Sequence, residues 1–421
     1  MQTKTSNISG FYKLSPEERL KIVKEFANLS DEEIKILEKT GSLDIETANR
    51  MIENVIGTVE LPFGIATNFL INGKDYLIPM SLDEPSVVAA ASYAAKLARP
   101  GGGFFTETDE PIMIGQVQIV NIENVEKAKK NILSNRDEII KIANEKDPGL
   151  LKYGGGTKDI ELFEIDTTRG KMLIAHILID VADAYGPNAV NTICEAIAPK
   201  LEELSEGDVR LRIVSNLATK RLARARAIWK KDVIGEDTIE NILDAYAFAL
   251  TDMYRCATHN KGIMNGIDAV AIATTNDFRG LEAGAHAYAA ITGKYKPLTK
   301  YEKNENGDLV GTIELPVPVG IVGGAINTNP TAKIALKILG VKSARELSGI
   351  MAAVGLAQNF AALRALSTEG IQKGHMRLHA KNIVSIAGAK GDLIDKVAEQ
   401  MIKEGNISVG RAKEILNNRK K

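Results

Sequence analysis

Between Ile112 and Val214 the order of elements is legible and narrows the folds open to the chain. Ile112 to Ile122 alternates as a strand, and Asn124 to Lys146 reads as a helix. Lys158 to Asp166 is a second strand, Thr167-Thr168-Arg169-Gly170 a turn, and Lys171 to Val181 a third strand. Ala189 to about Leu204 is helical, and Val209 to Val214 closes the run as a strand. A β-α-β-β-α-β order predicts a split-βαβ, ferredoxin-like module. The breaker Arg99-Pro100-Gly101-Gly102-Gly103 precedes it. At 421 residues the chain exceeds one typical domain, so the module reads as an insert in a larger unit.

The flanks predict an α+β architecture, mostly helical with β-hairpins. Ser15-Pro16-Glu17-Glu18 and Ser30-Asp31-Glu32-Glu33 are helix starts, each with a cap and an acid three residues later. A third helix is expected from Asp44 to about Glu53, with Gly57 suited to its stop. IATNFLI, Asn72-Gly73 and KDYLIPM form a hairpin pattern. Its second strand leads to Asp83-Glu84-Pro85-Ser86 and an Ala-rich helix. Glu84 at that junction reads either as a functional carboxylate or as a first-turn acid complementing the helix dipole. Asn216 to about Lys230 reads as a basic amphipathic helix with a solvated face, and phosphate docking is the alternative. A helix from Glu236 to about Leu250, a hairpin around Asn304–Gly307, a glycine loop at 320–325 and helices from about Thr331 and Ser343 complete the body.

Charge and cysteine usage exclude several classes. Lys plus Arg is 53 and Asp plus Glu is 54, a net charge of −1, so the basic excess of a nucleic-acid scaffold is missing. The two cysteines, Cys194 and Cys256, lie far apart and suit a reducing cytoplasm. The N-terminus lacks an apolar signal region, and no run approaches the roughly 20 apolar residues of a membrane helix.

Chemistry concentrates in Tyr254–Ala290. Arg255, Lys261 and Asp277 sit there among small and apolar residues, as a buried ion pair or as a site. Lys146-Asp147-Pro148 with Gly154-Gly155-Gly156, and Asp183-Ala184-Tyr185-Gly186-Pro187-Asn188 ahead of a helix, are loops that suit a phosphate or an ordinary capped turn. No G-x-G-x-x-G follows a strand. His375 and His379 are four apart, but no cysteine or nearby acid completes a ligand set, so no metal is expected.

These motifs in order, ENVIG at 53–57, DEPSVVAAAS at 83–92, DAYGPN at 183–188, THNKGIMNGID at 258–268, TTNDF at 274–278, VGGA at 322–325 and GHMRLHA at 374–380, resemble 3-hydroxy-3-methylglutaryl-CoA (HMG-CoA) reductase, in its class II branch of bacteria and archaea. The resemblance covers essentially the whole chain. It implies reduction of the HMG-CoA thioester to mevalonate in two hydride steps, with release of CoA. Synthesis of isoprenoids is the preferred direction, and mevalonate breakdown is the alternative. It implies a large domain at 1–110 and 217–374, a nicotinamide-binding insert at 111–216, and a helical C-terminal flap at 375–421.

The resemblance also assigns roles. Glu84, Lys261 and Asp277 form the catalytic cluster, with Asp277 holding Lys261 charged, and His375 protonates the departing thiolate. Cys256 is not needed as a nucleophile. Ser86, Arg255, Asn265, Gln358 and Asn359 line the substrate pocket, Arg255 pairing with the free carboxylate. Asp147, Asp183, Tyr185, Gly186, Asn188 and Asn216 hold the cofactor. A carboxylate at Asp147 suits a free 2′-hydroxyl, so NADH is preferred over NADPH. DAYGPN departs from the Met and Ala that other members often carry at 185 and 187. The family builds its site between two subunits, so a homodimer or higher oligomer is expected, with Glu84 and Lys261 able to come from different chains.

Overall fold

The computed structural model describes residues 4–41, 43–368, 370 and 380–419, with the side chain of residue 325 also left out of the description. Its strands are β1 (Phe63–Ile71), β2 (Lys74–Ser81), β3 (Phe104–Thr108), β4 (Ile112–Val120), β5 (Gly156–Thr167), β6 (Gly170–Asp180), β7 (Asp208–Val214), β8 (Leu222–Trp229), β9 (Thr299–Lys303) and β10 (Leu309–Pro316).

The expected β-α-β-β-α-β run forms a four-stranded sheet in the order β5-β6-β4-β7, every pairing antiparallel. Helices Val125–Ser134, Arg136–Lys146 and Pro187–Ser205 accompany it. The single helix expected over Asn124–Lys146 is two, broken at Asn135, whose φ of −105° and ψ of 16° leave the helical region. Met113, Val117, Ile132, Ile177, Ile193 and Ile197 fill a core of its own.

The outer hairpins do more than the sequence suggested. They join β3 and β8 in one six-stranded sheet, ordered β2-β1-β3-β8-β10-β9. Here the expectation of a helix over Asn216–Lys230 fails. Residues 222–229 are strand β8, with Ala223, Ala225, Ala227 and Trp229 buried and Arg224 and Arg226 turned outward. The Ala/Arg alternation has period two, and high helix propensity of both residue types masked it. Arg224 bonds Asp109 and Glu314 across the sheet.

Helix Ala344–Ser367 runs beneath this sheet and against helix Met253–Ala273. Trp229 stacks on Phe360 with ring centroids 3.9 Å apart and donates its indole N–H to the Ala94 carbonyl at 3.2 Å. Truncating such a pair typically costs about 3–5 kcal/mol. Glycines make the helix contact possible. A Cβ on Gly355 would lie 2.9 Å from Ile267, and one on Gly266 would lie 3.0 Å from the Gln358 Cβ. Ala344–Ser367 is also long and apolar enough to cross a membrane, against the expectation that no run was, but 78% of its apolar window is buried in the protein.

The capping boxes at Ser15 and Ser30 are present. The third helix stops at Met51, and 55–60 has no regular secondary structure, with Ile56 and Val59 exposed. Residues 380–386, Leu393–Glu404 and Val409–Asn418 are helices at the C-terminus, with a separate small core of Val384, Val397, Met401 and Ile415.

Candidate active site

Glu84 lies just past the end of β2, ahead of helix Val87–Ala98. The chain turns there through Ser86, which holds a left-handed φ of 81°. A non-glycine residue in that region stores on the order of 1 kcal/mol of strain and holds a sharp turn. The turn presents Glu84 to Lys261, two turns into helix Met253–Ala273. The Lys261 ammonium donates to Glu84 Oε2 at 3.1 Å. One chain thus supplies both residues, and the expectation that they could come from different chains is not needed for this pair. The pair is accessible, with side-chain exposures of 57% and 43%.

Asn265 and Asp268 follow Lys261 on the same helical face, because they lie four and seven residues on. Arg255 is half-buried near the start of this helix, where Asp252 accepts from its backbone N–H. Its guanidinium has no carboxylate partner among the described residues. Cys256 is buried, and loss of hydration pushes its thiol up to about 11, far from a nucleophile's range.

Asp277 stands elsewhere. It caps helix Phe278–Ala289, accepting from the Gly280 N–H at 3.2 Å, and accepts from the Tyr185 hydroxyl at 3.3 Å and Arg279 at 3.5 Å. Lys261 is not among its bonded or ion-pair partners, so the expected Asp277 support of Lys261 is not formed within one chain. Burial and then the Asp277 charge push the Tyr185 phenol up to about 12, so it remains a donor.

The loop carrying Tyr185 is pressed into place. A Cβ on Gly280 would lie 2.5 Å from the Tyr185 hydroxyl and 3.2 Å from Asn216 Oδ1; one on Gly284 would lie 2.5 Å from the Asn216 carbonyl oxygen. Gly320 packs equally close to the Tyr185 backbone. Gly186 has a φ of 100°, and a Cβ there would strike Val181 at 2.5 Å. It opens helix Pro187–Ser205 with no side-chain cap, so the first N–H groups of that helix, beside exposed Asn188, remain available to an anion.

Several assigned residues have other tasks. Asp183 accepts from the Ala344 N–H at 2.8 Å, tying the loop to the start of the long core helix. Asp147 accepts from the Leu150 N–H at 3.0 Å as the cap of a short helix and stays half-exposed. Asn359 is fully engaged: it accepts from Thr299 at 3.0 Å and Tyr301 at 2.9 Å. Gln358 is buried, and its carbonyl oxygen has no partner among the described residues. His375 and His379 lie outside the described residues.

Arg221 was overlooked in the sequence, where it looked solvated. It is 4% exposed and donates to the carbonyls of Ala184, Tyr185 and Val319. Burial lowers its pKa to about 10. No local signal marks it, since its partners lie on two distant loops.

A family model described as hydroxymethylglutaryl-coenzyme A reductase matches residues 15–380. The 3-hydroxy-3-methylglutaryl-coenzyme A reductase of Archaeoglobus fulgidus is 62% identical over 413 residues, covering 98% of this chain and 94% of that one. A solved 3-hydroxy-3-methylglutaryl-coenzyme A reductase from Streptococcus pneumoniae superposes with a TM-score of 0.83 at 41% identity, over 97% of this chain and 99% of that one. A class II structure from the same organism, bound to NADPH in open conformations, gives a TM-score of 0.82 at 41% identity over 97% and 100% of the two chains. A cation and a carboxylate joined at a strand-to-helix turn, and a glycine-packed loop bonded to a second carboxylate, stand in a chain that belongs to the hydroxymethylglutaryl-coenzyme A reductase family.

Proposed function

We infer that the chain reduces the thioester of HMG-CoA to mevalonate, consuming two reduced nicotinamides and two protons and releasing CoA, in the direction of isoprenoid synthesis. The observation that carries this reading is the Lys261–Glu84 contact of 3.1 Å at an accessible junction. When bound, the nicotinamide supplies hydride to the carbonyl carbon. Lys261 then faces the oxygen on which negative charge develops, the place where a fixed ammonium contributes most. Glu84 is the proton source, acting through Lys261. Arg255 supplies a fork for the free carboxylate, and the lack of a carboxylate partner for it among the described residues suits that task. Ser86 and Asn265 border the same face. His375, by its place in the family motif, protonates the departing thiolate.

The residues that would hold the cofactor fit one. The uncapped helix start at Gly186–Asn188 accepts an anion, and Tyr185 and Asn216 are held against Asp277. Asp147 keeps one carboxylate oxygen for a ribose hydroxyl, so NADH is the preferred cofactor in this reading. The two buried cysteines are unpaired, which suits the reducing cytoplasm we assign.

We further place the complete site between two copies of the chain, the Lys261–Glu84 pair of one meeting the Asp277–Tyr185 pair of the other. Exposed Ile45, Met51, Ile52, Ile56, Val59 and Leu61 supply apolar surface for such a pairing. The test mixes two inactive variants, Lys261→Ala and Asp277→Ala, under conditions that exchange subunits. Recovery of HMG-CoA-dependent nicotinamide oxidation supports the reading, because each mixed dimer regains one intact site. No recovery in verified mixed dimers overturns the shared site; no oxidation by the unaltered protein with either cofactor overturns the activity.

A further inference from the structure

Beneath Lys261 lies a chain of polar groups that the reaction scheme leaves unused. Asp268, two turns along the same helix, meets Glu282 of helix Phe278–Ala289. Glu282 Oε2 lies 2.7 Å from His286 Nε2, and His286 Nδ1 lies 2.6 Å from the Tyr295 hydroxyl. Asp268 Oδ1 is shielded from solvent and receives no hydrogen bond from any described donor. Two ionised carboxylates in that arrangement would repel each other, and each orphaned buried acceptor costs about 1–3 kcal/mol. A single proton between them turns the repulsion into a hydrogen bond.

We propose that Asp268 is a positioning residue for Lys261: it shares one proton with Glu282 and thereby clamps the helix bearing Lys261 to the helix capped by Asp277. The proposal rests on Lys261 being the oxyanion donor. The groups around the pair are Lys261 on the same helix, Glu282 and His286 on the facing one, and Tyr295 beyond it, with Asn260 and Cys256 on its other side. Burial first, and Glu282 second, raise the Asp268 carboxyl to about 8; Lys261 opposes them. His286 holds Glu282 below the usual carboxylate range. At neutral pH the pair therefore holds one proton between its two carboxyl groups. Above its pKa the pair carries two charges, the clamp opens, and Lys261 loses its place.

Two measurements on the full chain test this. The first is the pH profile of kcat for the unaltered protein and Asp268→Asn, whose amide imitates the protonated acid. The expected result is a variant within about threefold of normal kcat at neutral pH that lacks an alkaline loss seen in the parent. An identical alkaline loss in both, or a large loss in Asp268→Asn at neutral pH with folding intact, overturns the proposal. The second is infrared difference spectroscopy of the unaltered protein, which needs neither variant nor substrate. A protonated carboxyl band at neutral pH that disappears on the alkaline side supports the shared proton; its absence overturns it. The band tests the proton whatever Lys261 does in catalysis, so failure of the activity reading and failure of the clamp are told apart.

Discussion

Lys261 and Glu84 are 177 residues apart in sequence, yet their side chains meet at 3.1 Å within one chain. Both are accessible, and an exposed pair of this kind contributes only about 0–1 kcal/mol to stability. Its contribution to the fold is therefore small, and on the proposed reading its geometry serves the substrate. Lys261→Ala should therefore lower turnover by about a hundredfold or more, the usual loss for an oxyanion donor, with unchanged thermal unfolding. Glu84→Gln should keep the contact and still lose turnover, because the amide has no proton to give. Steady-state oxidation of reduced nicotinamide with HMG-CoA, beside a melting curve, checks both; full activity in either variant removes that residue from the mechanism.

Gly280→Ala should weaken cofactor use. Its methyl would sit 2.5 Å from the Tyr185 hydroxyl, so the phenol must move off Asp277. The expected result is a severalfold rise in KM for the cofactor, partly reversed by adding Tyr185→Phe. Gly284→Ala meets the Asn216 backbone instead of a side-chain tip, and no side-chain trimming should relieve it. Its stability should fall by about 1–3 kcal/mol, readable by urea titration.

How much of this was legible depended on whether the signal was local. The β-α-β-β-α-β run was visible because strands β4 to β7 alternate or are bounded by turns. Glu84 was visible because a proline and a helix pattern follow a strand. Strand β8 was not, since Ala223–Ala227 alternates residues that also favour helices. Arg221 was not visible either, because the carbonyls that hold it lie on two loops distant in sequence. The Asp277–Tyr185 contact depends on two glycines one helical turn apart, which look in sequence like mere tolerance. The expected Asp277–Lys261 support is a tertiary matter that no spacing could decide.

The acid limb of stability should be set in part by His259. It is 1% exposed, with Nε2 2.7 Å from the Thr299 hydroxyl and no partner for Nδ1 among the described residues. Burial, aided by Arg255, lowers its pKa from 6.5 to about 3. The unfolded chain then binds a proton that the folded chain refuses. The neutral ring's contribution is complete above pH 6.5 and is lost as pH falls towards 3, by roughly 4 kcal/mol. Urea unfolding over this window should show the loss, and His259→Gln, which keeps a polar group beside Thr299, should flatten it. Equal slopes in both proteins refute the assignment.

Asp147→Ser should narrow the gap between NADH and NADPH by about tenfold, the value of one hydrogen bond to a charged acceptor. Paired kcat/KM measurements with the two cofactors read this directly. A ratio that does not move places the ribose elsewhere.

Arg221 and the close-packed glycines leave the loop at 183–188 no room to adapt, whereas Asp147 stands on a five-residue helix at the edge of the insert. For a protein engineer the two ends of the proposed cofactor site are separable. In that reading the end at 183–188 is packed against Gly186, Gly280 and Gly284, while the end at Asp147 offers a half-exposed carboxylate that can be exchanged. On the proposed reading, coenzyme choice is open to redesign at Asp147 without touching the close-packed loop at 183–188.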